Sequence, residues 1–154
     1  MAFYPNPKVV RKASGVTELF TAKNGEAAGQ TYLKGQPVYL DGSSQVTEVA
    51  SDGTAMMGLA QTDATGTQAT EAVIEVIRPE DEVEIVCSTT VAKTNQLIKY
   101  AFVVASNVAK CDLSDTGHDA MILVRPVFDS TGAYTTKAIV SFLPAVCQAL
   151  AAAG

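Results

Sequence analysis

The chain has 154 residues, 47% apolar and 18% charged, which is long enough for one domain with a real core and too apolar to be disordered. Its formal net charge of −5 is uneven: residues 1–35 carry +3, residues 36–90 carry −9 and the rest +1. An acidic body argues against nucleic-acid binding, because neutralising phosphates needs a basic face. The first twelve residues lack the apolar run of a signal peptide, and the late apolar stretch at 142–154 holds Pro144 and Gln148 and is too short to cross a bilayer. A protein without a membrane span, made in a reducing cytoplasm, is the expectation. The three cysteines, Cys87, Cys111 and Cys147, are odd in number and lack CxxC spacing, so they read as buried thiols rather than as a disulfide framework or a zinc site.

Taken in order, residues 1–14 read as an extended arm, since Pro5 and Pro7 prevent a regular helix and bias their predecessors to extended backbone. Phe3 and Tyr4 are aromatic anchors on it. Residues 15–154 read as a single β domain. A first strand falls at 16–21, then a polar loop at 22–30. The segment 32–40 is restricted by Gly35-Gln36-Pro37 to an edge strand or to one beginning after the proline. Asp41-Gly42-Ser43-Ser44 is a turn, and 45–50 returns as a strand.

Residues 51–79 are echoed by residues 114–144. Ser51-Asp52 answers to Ser114-Asp115, Ala55-Met56 to Ala120-Met121, and Thr65-Gly66 to Thr131-Gly132. Ala72-Val73-Ile74 answers to Ala138-Ile139-Val140, and Pro79 to Pro144. Two copies at this spacing are too few and too long for a solenoid; pseudo-repeats at about 33–79 and 96–144 closing around one core are expected. Short apolar runs at 56–60 and 121–124 between turn residues read as buried strands. Residues 71–78 and 82–88 alternate with a period of two around Arg78-Pro79-Glu80-Asp81, which predicts an antiparallel hairpin. The segment 96–109 fits a helical stripe and a β pattern equally; the repeat assigns it to strands at 97–104 and 107–112. Residues 145–153 have the composition of a short helix or a tail. The fold class is therefore all-β, a barrel or sandwich of short antiparallel strands from two related halves, with an extended N-terminal arm.

The catalytic inventory is thin. The one histidine, His118, lies in Ser114-Asp115-Thr116-Gly117-His118-Asp119, whose residue types are those of a turn. Asp112, Asp115 and Asp119 do not have calcium-loop spacing, and no phosphate loop or dinucleotide fingerprint occurs. The acidic run Glu71, Glu75, Glu80, Asp81, Glu82 and Glu84 reads as a solvated face. No enzyme activity, cofactor or metal is expected.

The stretch Leu33-Lys34-Gly35-Gln36-Pro37-Val38-Tyr39-Leu40, the turn, Val46-Thr47-Glu48-Val49 and then Met57-Gly58-Leu59-Ala60 before a glycine-containing loop resembles the small cement, or head decoration, proteins of tailed bacteriophage capsids. The resemblance covers about residues 33–88. It implies a structural virion protein that binds the outer surface of an icosahedral capsid and stabilises the shell. Its partners would be the major capsid protein and itself, as a homotrimer, with no nucleic acid and no membrane. Under this reading Phe3, Tyr4, Pro5, Val9, Val10 and Arg11 are the expected capsid contacts, the basic arm meeting an acidic coat. Phe142, Leu143, Val146 and Leu150 are the expected oligomer interface. The alternative is a carbohydrate- or ligand-binding β module on a virion or cell surface, its aromatic platform drawn from Tyr32, Tyr39, Tyr100 or Tyr134. A small hydrolase using Cys111 or Ser114 with His118 is the third option.

Overall fold

Alternation of buried and exposed side chains sets the strands. Ala72, Ile74 and Val76 face inward while Val73 and Glu75 are half-buried, and Val83 and Ile85 repeat the pattern between Glu82, Glu84 and Val86, as a period of two requires. The structure, a computed structural model, describes residues 6–67 and 71–149. Its strands are β1 (Lys8–Arg11), β2 (Leu19–Ala22), β3 (Pro37–Leu40), β4 (Val46–Glu48), β5 (Gly58–Ala60), β6 (Ala72–Val76), β7 (Glu82–Val86), β8 (Lys99–Ala105), β9 (Val108–Asp112), β10 (Met121–Phe128) and β11 (Tyr134–Phe142). One 3-10 turn, Lys93–Asn95, is the only helical element among the described residues. The all-β expectation holds.

The strands form two antiparallel sheets. The larger has the order β1-β7-β11-β10-β8-β9 and the smaller β2-β6-β5-β3-β4. The larger sheet curls into a half-barrel, so that β9 at one side comes back to the end of β7. There Cys87 and Cys111 form an isolated parallel bridge, and the Ser88 amide donates to the Cys111 carbonyl at 2.8 Å. Asn6 clips the same seam, donating to the Asn107 carbonyl and accepting from the Ala109 amide. Inside the curl lie Val83, Ile85, Phe102, Met121, Leu123, Val140 and Phe142, closed over by Val49, Met56, Leu59 and Ile77. Phe102 and Phe142 stack with centroids 5.5 Å apart. A second cluster under the smaller sheet holds Tyr32, Val38, Val46 and Ile74.

The echo in the sequence has a counterpart in connectivity. In the smaller sheet β3 and β4 form a hairpin, β5 returns beside β3 and β6 lies outside β5; in the larger, β8, β9, β10 and β11 repeat those steps. The segment expected as strands at 97–104 and 107–112 forms β8 and β9, starting at Lys99, two residues later than expected, with Ser106 and Asn107 both at positive φ in the connecting turn, the geometry a two-residue hairpin loop demands.

The predicted hairpin of 71–78 with 82–88 does not form. β6 pairs with β2 and β5, and β7 pairs with β1 and β11. The reason is local: Val76 and Ile77 are both buried, so the alternation slips as the chain crosses from one sheet to the other. Asp81 then closes the turn, its amide donating to the Arg78 carbonyl at 3.0 Å. Nor do residues 145–149 form a helix. Cys147 bridges Met56 in parallel, and the Gln148 side chain donates to the Leu40 carbonyl and accepts from its amide, both at 2.8 Å.

Candidate functional site

The basic N-terminal stretch and the acidic run find each other. β1 lies antiparallel to β7 with Lys8 opposite Glu84 and Arg11 opposite Glu82. Lys8 Nζ stands 3.4 Å from Glu84, Arg11 Nε 3.7 Å from Glu82, and Arg125 Nη1 3.0 Å from Glu82. The bases of these pairs are well exposed, and such pairs are worth about 0–1 kcal/mol each; they set register more than stability. Lys12 is different. Its ammonium lies buried on the Asp81 carboxylate and donates to the Val76 carbonyl at 2.7 Å. Asp81 also accepts from the amides of Ala13 (2.9 Å) and Arg78 (2.8 Å). Burial pushes its carboxyl up, but the Lys12 hydrogen bond, the two amides and the Lys12 charge outweigh that and hold it below the usual range.

The expectation of an extended arm over 1–14, apart from the β domain at 15–154, is therefore corrected for the described part: residues 8–11 are extended, but they are the edge strand of the body. Val9 packs against the core and is withdrawn as a contact. Val10 is 44% exposed, and Arg11 is exposed too. Phe3, Tyr4 and Pro5 lie outside the described residues. Beside the start of β1 a groove of about 1040 Å³ runs between Asn6–Lys8, the Leu33–Gly35 turn and the ends of β7 and β11. Lys8, Lys34 and Lys137 line it with Glu84, so it is basic at the rim, with Leu33 exposed.

The oligomer set moves as well. Phe142 and Val146 are core residues, Leu143 packs against that core, and Leu150 lies outside the described residues. Side chains committed to the chain's own interior cannot form an intersubunit surface, so that assignment is corrected for Phe142 and Val146, while Leu143 is half-buried. The aromatic platform fails on similar grounds: Tyr32 and Tyr100 are buried and Tyr39 packs on the core. Tyr134 alone of the four is exposed, tilted against Phe128 at 4.9 Å.

His118 does occupy a turn, but one that gathers a partner from the other repeat. Its Nδ1 is 2.9 Å from Asp115 Oδ2 and 3.7 Å from Asp52 Oδ2. The ligand atoms of the three residues all lie within 4.8 Å of one another, a set whose donor types would suit a divalent transition ion. The Asp115 hydrogen bond, then the charges of Asp115 and Asp52, raise the imidazole above its ordinary value. The same bond, with the Gly117 amide, lowers Asp115. The Asp112, Asp115 and Asp119 trio does not converge, since Asp112 instead accepts from the Ser114 amide and hydroxyl. That hydroxyl bond points Ser114 at Asp112 and away from a nucleophile's role on His118. The thiol of Cys111 is buried, and the neighbouring Cys87 thiol, then burial, push it well above its ordinary value.

Two features escaped the sequence reading. Asp52 was visible as the repeat partner of Asp115, and that equivalence was the available signal. Lys12 with Asp81 had only the opposed charge blocks as a signal, which do not say which pair is buried. No family model matches the chain and no curated protein matches it.

Proposed function

We propose that the protein is a structural cement that binds the outer surface of an icosahedral phage shell, acting through the outer edge of β1 and the residues that precede it. The observation that carries this reading is the position of β1: it is the outermost strand of the larger sheet, so its free edge offers unpaired backbone groups for strand addition by a coat-protein segment. Val10 and Arg11 project from it into solvent, and Phe3, Tyr4 and Pro5 lie directly upstream in the chain. Most of the charges around β1 are already satisfied within the chain, so the contact is a matter of backbone pairing and apolar anchoring more than of opposed charge. Several copies on one shell multiply a modest contact by avidity. Trimers are the proposed unit, and since Phe142 and Val146 are buried, their surface would come from elsewhere. The exposed Val16, Leu19 and Phe20 at the β2 edge are available for it.

The test is co-sedimentation with empty expanded shells of the coat protein encoded in the same genome. Saturable binding is expected, lost on removing residues 1–5 and weakened by Val10→Asp with Arg11→Glu. Deleting residues 1–12 is a poor test, because it removes the edge strand and strips Asp81 of Lys12. If the chain lacking residues 1–5 and carrying both substitutions still decorates shells fully, the proposed surface is wrong; if the intact chain does not bind, so is the function.

A further inference from the structure

We propose that Cys87 and Cys111 are a latent disulfide that closes the half-barrel, formed by exchange with a low-molecular-weight disulfide.

The seam between β7 and β9 is where the larger sheet fails to complete itself. It is held by the single bridge between Cys87 and Cys111, the Ser88 amide on the Cys111 carbonyl, the Leu113 amide on Ser88 Oγ at 3.0 Å, and the Asn6 clip. No continuous ladder joins the two strands in the sheet order. The two cysteines are the bridge partners across that gap. Bridge partners on adjacent strands lie about 4.8 Å apart, inside the roughly 4.4–6.8 Å between Cα atoms that a disulfide spans. Both side chains belong to the same buried core cluster. The third cysteine is placed differently: Cys147 bridges Met56, and burial, then the charges of Asp81 and Glu80, push its thiol up to about 12.

The chemistry is two successive exchanges. One thiol of the pair gives its proton to solvent, and the thiolate sulfur attacks a sulfur of the small disulfide, breaking its S–S bond and releasing one small thiolate. The second cysteine, deprotonated in turn, attacks the mixed disulfide at the protein sulfur, forms the Cys87–Cys111 bond and expels the second small thiolate. Two protein thiols are oxidised, two electrons pass to the reagent, and each small thiolate takes up a proton. Because both cysteines are buried, with 2% and 0% of their surface exposed, the first attack requires the seam to open locally. Exposed Ser88, Thr89 and Thr90 at the end of β7 put that opening at the edge of the sheet and not in its centre. The bond would convert an edge contact into a covalent ring once the protein leaves a reducing cytoplasm.

The experiment incubates folded protein with oxidised glutathione, then alkylates free thiols in denaturant and maps the peptides. The expected product has lost two hydrogens, contains a Cys87–Cys111 link, retains an alkylated Cys147 and shows a raised unfolding midpoint that a reducing agent reverses. Its rate should not depend on protein concentration, and Cys147→Ser should leave it unchanged. Cys87→Ala should abolish the link; where that variant does not fold, the wild-type peptide map decides by itself. Glutathione retained on Cys87 or Cys111, a link through Cys147, or a link that forms only in denaturant would each overturn the proposal.

Discussion

Replacing Lys12 by methionine tests the reading of the β1 seam most sharply. Methionine keeps the buried stem and removes the charge. The side chains of Lys12 and Asp81 are only 7% and 2% exposed, so the substitution leaves a carboxylate in the interior without its cation. Breaking a buried pair by removing one partner costs about 3–5 kcal/mol. The lower end applies, because Asp81 keeps its hydrogen bonds from the Ala13 and Arg78 amides. We expect about 3 kcal/mol near neutral pH, roughly a hundredfold in the unfolding equilibrium, and a fall in Tm of about 6–12 °C for a chain of this size. The pH dependence carries the stronger test. In the wild type the folded carboxyl lies below its usual range, so its stabilising contribution is present above the unfolded value of about 3.9 and is lost as pH falls through the folded one. Without Lys12 the burial contribution is opposed only by the amides, and the folded value rises. The variant then takes up its proton earlier, and its deficit shrinks on acidification. Urea unfolding followed by circular dichroism, which suits a chain without tryptophan, at about pH 7 and about pH 4 measures both quantities. A cost below about 1 kcal/mol at neutral pH, or a deficit equal at the two pH values, would refute the buried-pair account.

Gly58→Ala should be severely destabilising, since a Cβ there would sit 1.9 Å from the Glu75 carbonyl oxygen on the neighbouring strand; a loss at or above the roughly 1–3 kcal/mol of overpacking is expected in denaturant unfolding. Phe142→Ala should cost about 3–5 kcal/mol as a core truncation and do so equally at all protein concentrations, whereas an interface residue would make the loss concentration-dependent. An NMR titration should find the His118 imidazole above its ordinary value and lowered by Asp115→Asn, with a smaller drop for Asp52→Asn, following the order of their contributions. The stabilising effect of that histidine is present at low pH and lost as pH rises through its folded value, while that of Asp115 is lost as pH falls.

Much of the fold was legible because strand alternation is a local property. The strands at 72–76, 82–86, 99–105 and 108–112 could be read from their own residues and from the echo between halves. What pairs with what was not local. The 71–88 hairpin looked right because Arg78-Pro79-Glu80-Asp81 carries turn chemistry, yet a turn says nothing about which sheet receives the next strand; the adjacent buried pair Val76 and Ile77 decided it. Charge was misread for a related reason. A basic start and an acidic middle point to external partners only when the two cannot meet, and β1 beside β7 lets them meet within the chain. Phe142 and Val146 looked surplus because the sequence does not reveal that Phe102 waits opposite Phe142.

The two halves show how much a repeat constrains and how much it leaves free. Their strands follow one connectivity, which is the pattern a tandem duplication leaves, yet the pairing has slipped. Gly58 stands opposite Val76; the corresponding position to Gly58 is Leu123, but Met121 is what stands opposite Phe142. A slip of two residues keeps every side chain on its own face, where a slip of one would have turned the core outward. The Thr-Gly landmarks persist for a chemical reason. Gly66 and Gly132 take φ of 82° and 83°, a conformation that favours glycine, and in both loops the preceding threonine is gripped by a carboxylate. Thr65 donates its amide and hydroxyl to Glu26, at 3.0 and 3.2 Å, and Thr131 donates both to Asp129, at 2.8 and 2.6 Å. In the second half the carboxylate is local; in the first it comes from a buried side chain thirty-nine residues away. The loop geometry is thus held in common while its anchor is not. The echo could therefore be seen at Thr-Gly, where backbone conformation fixes the residue, and was silent about Glu26, which any acceptor reaching the same amide could replace.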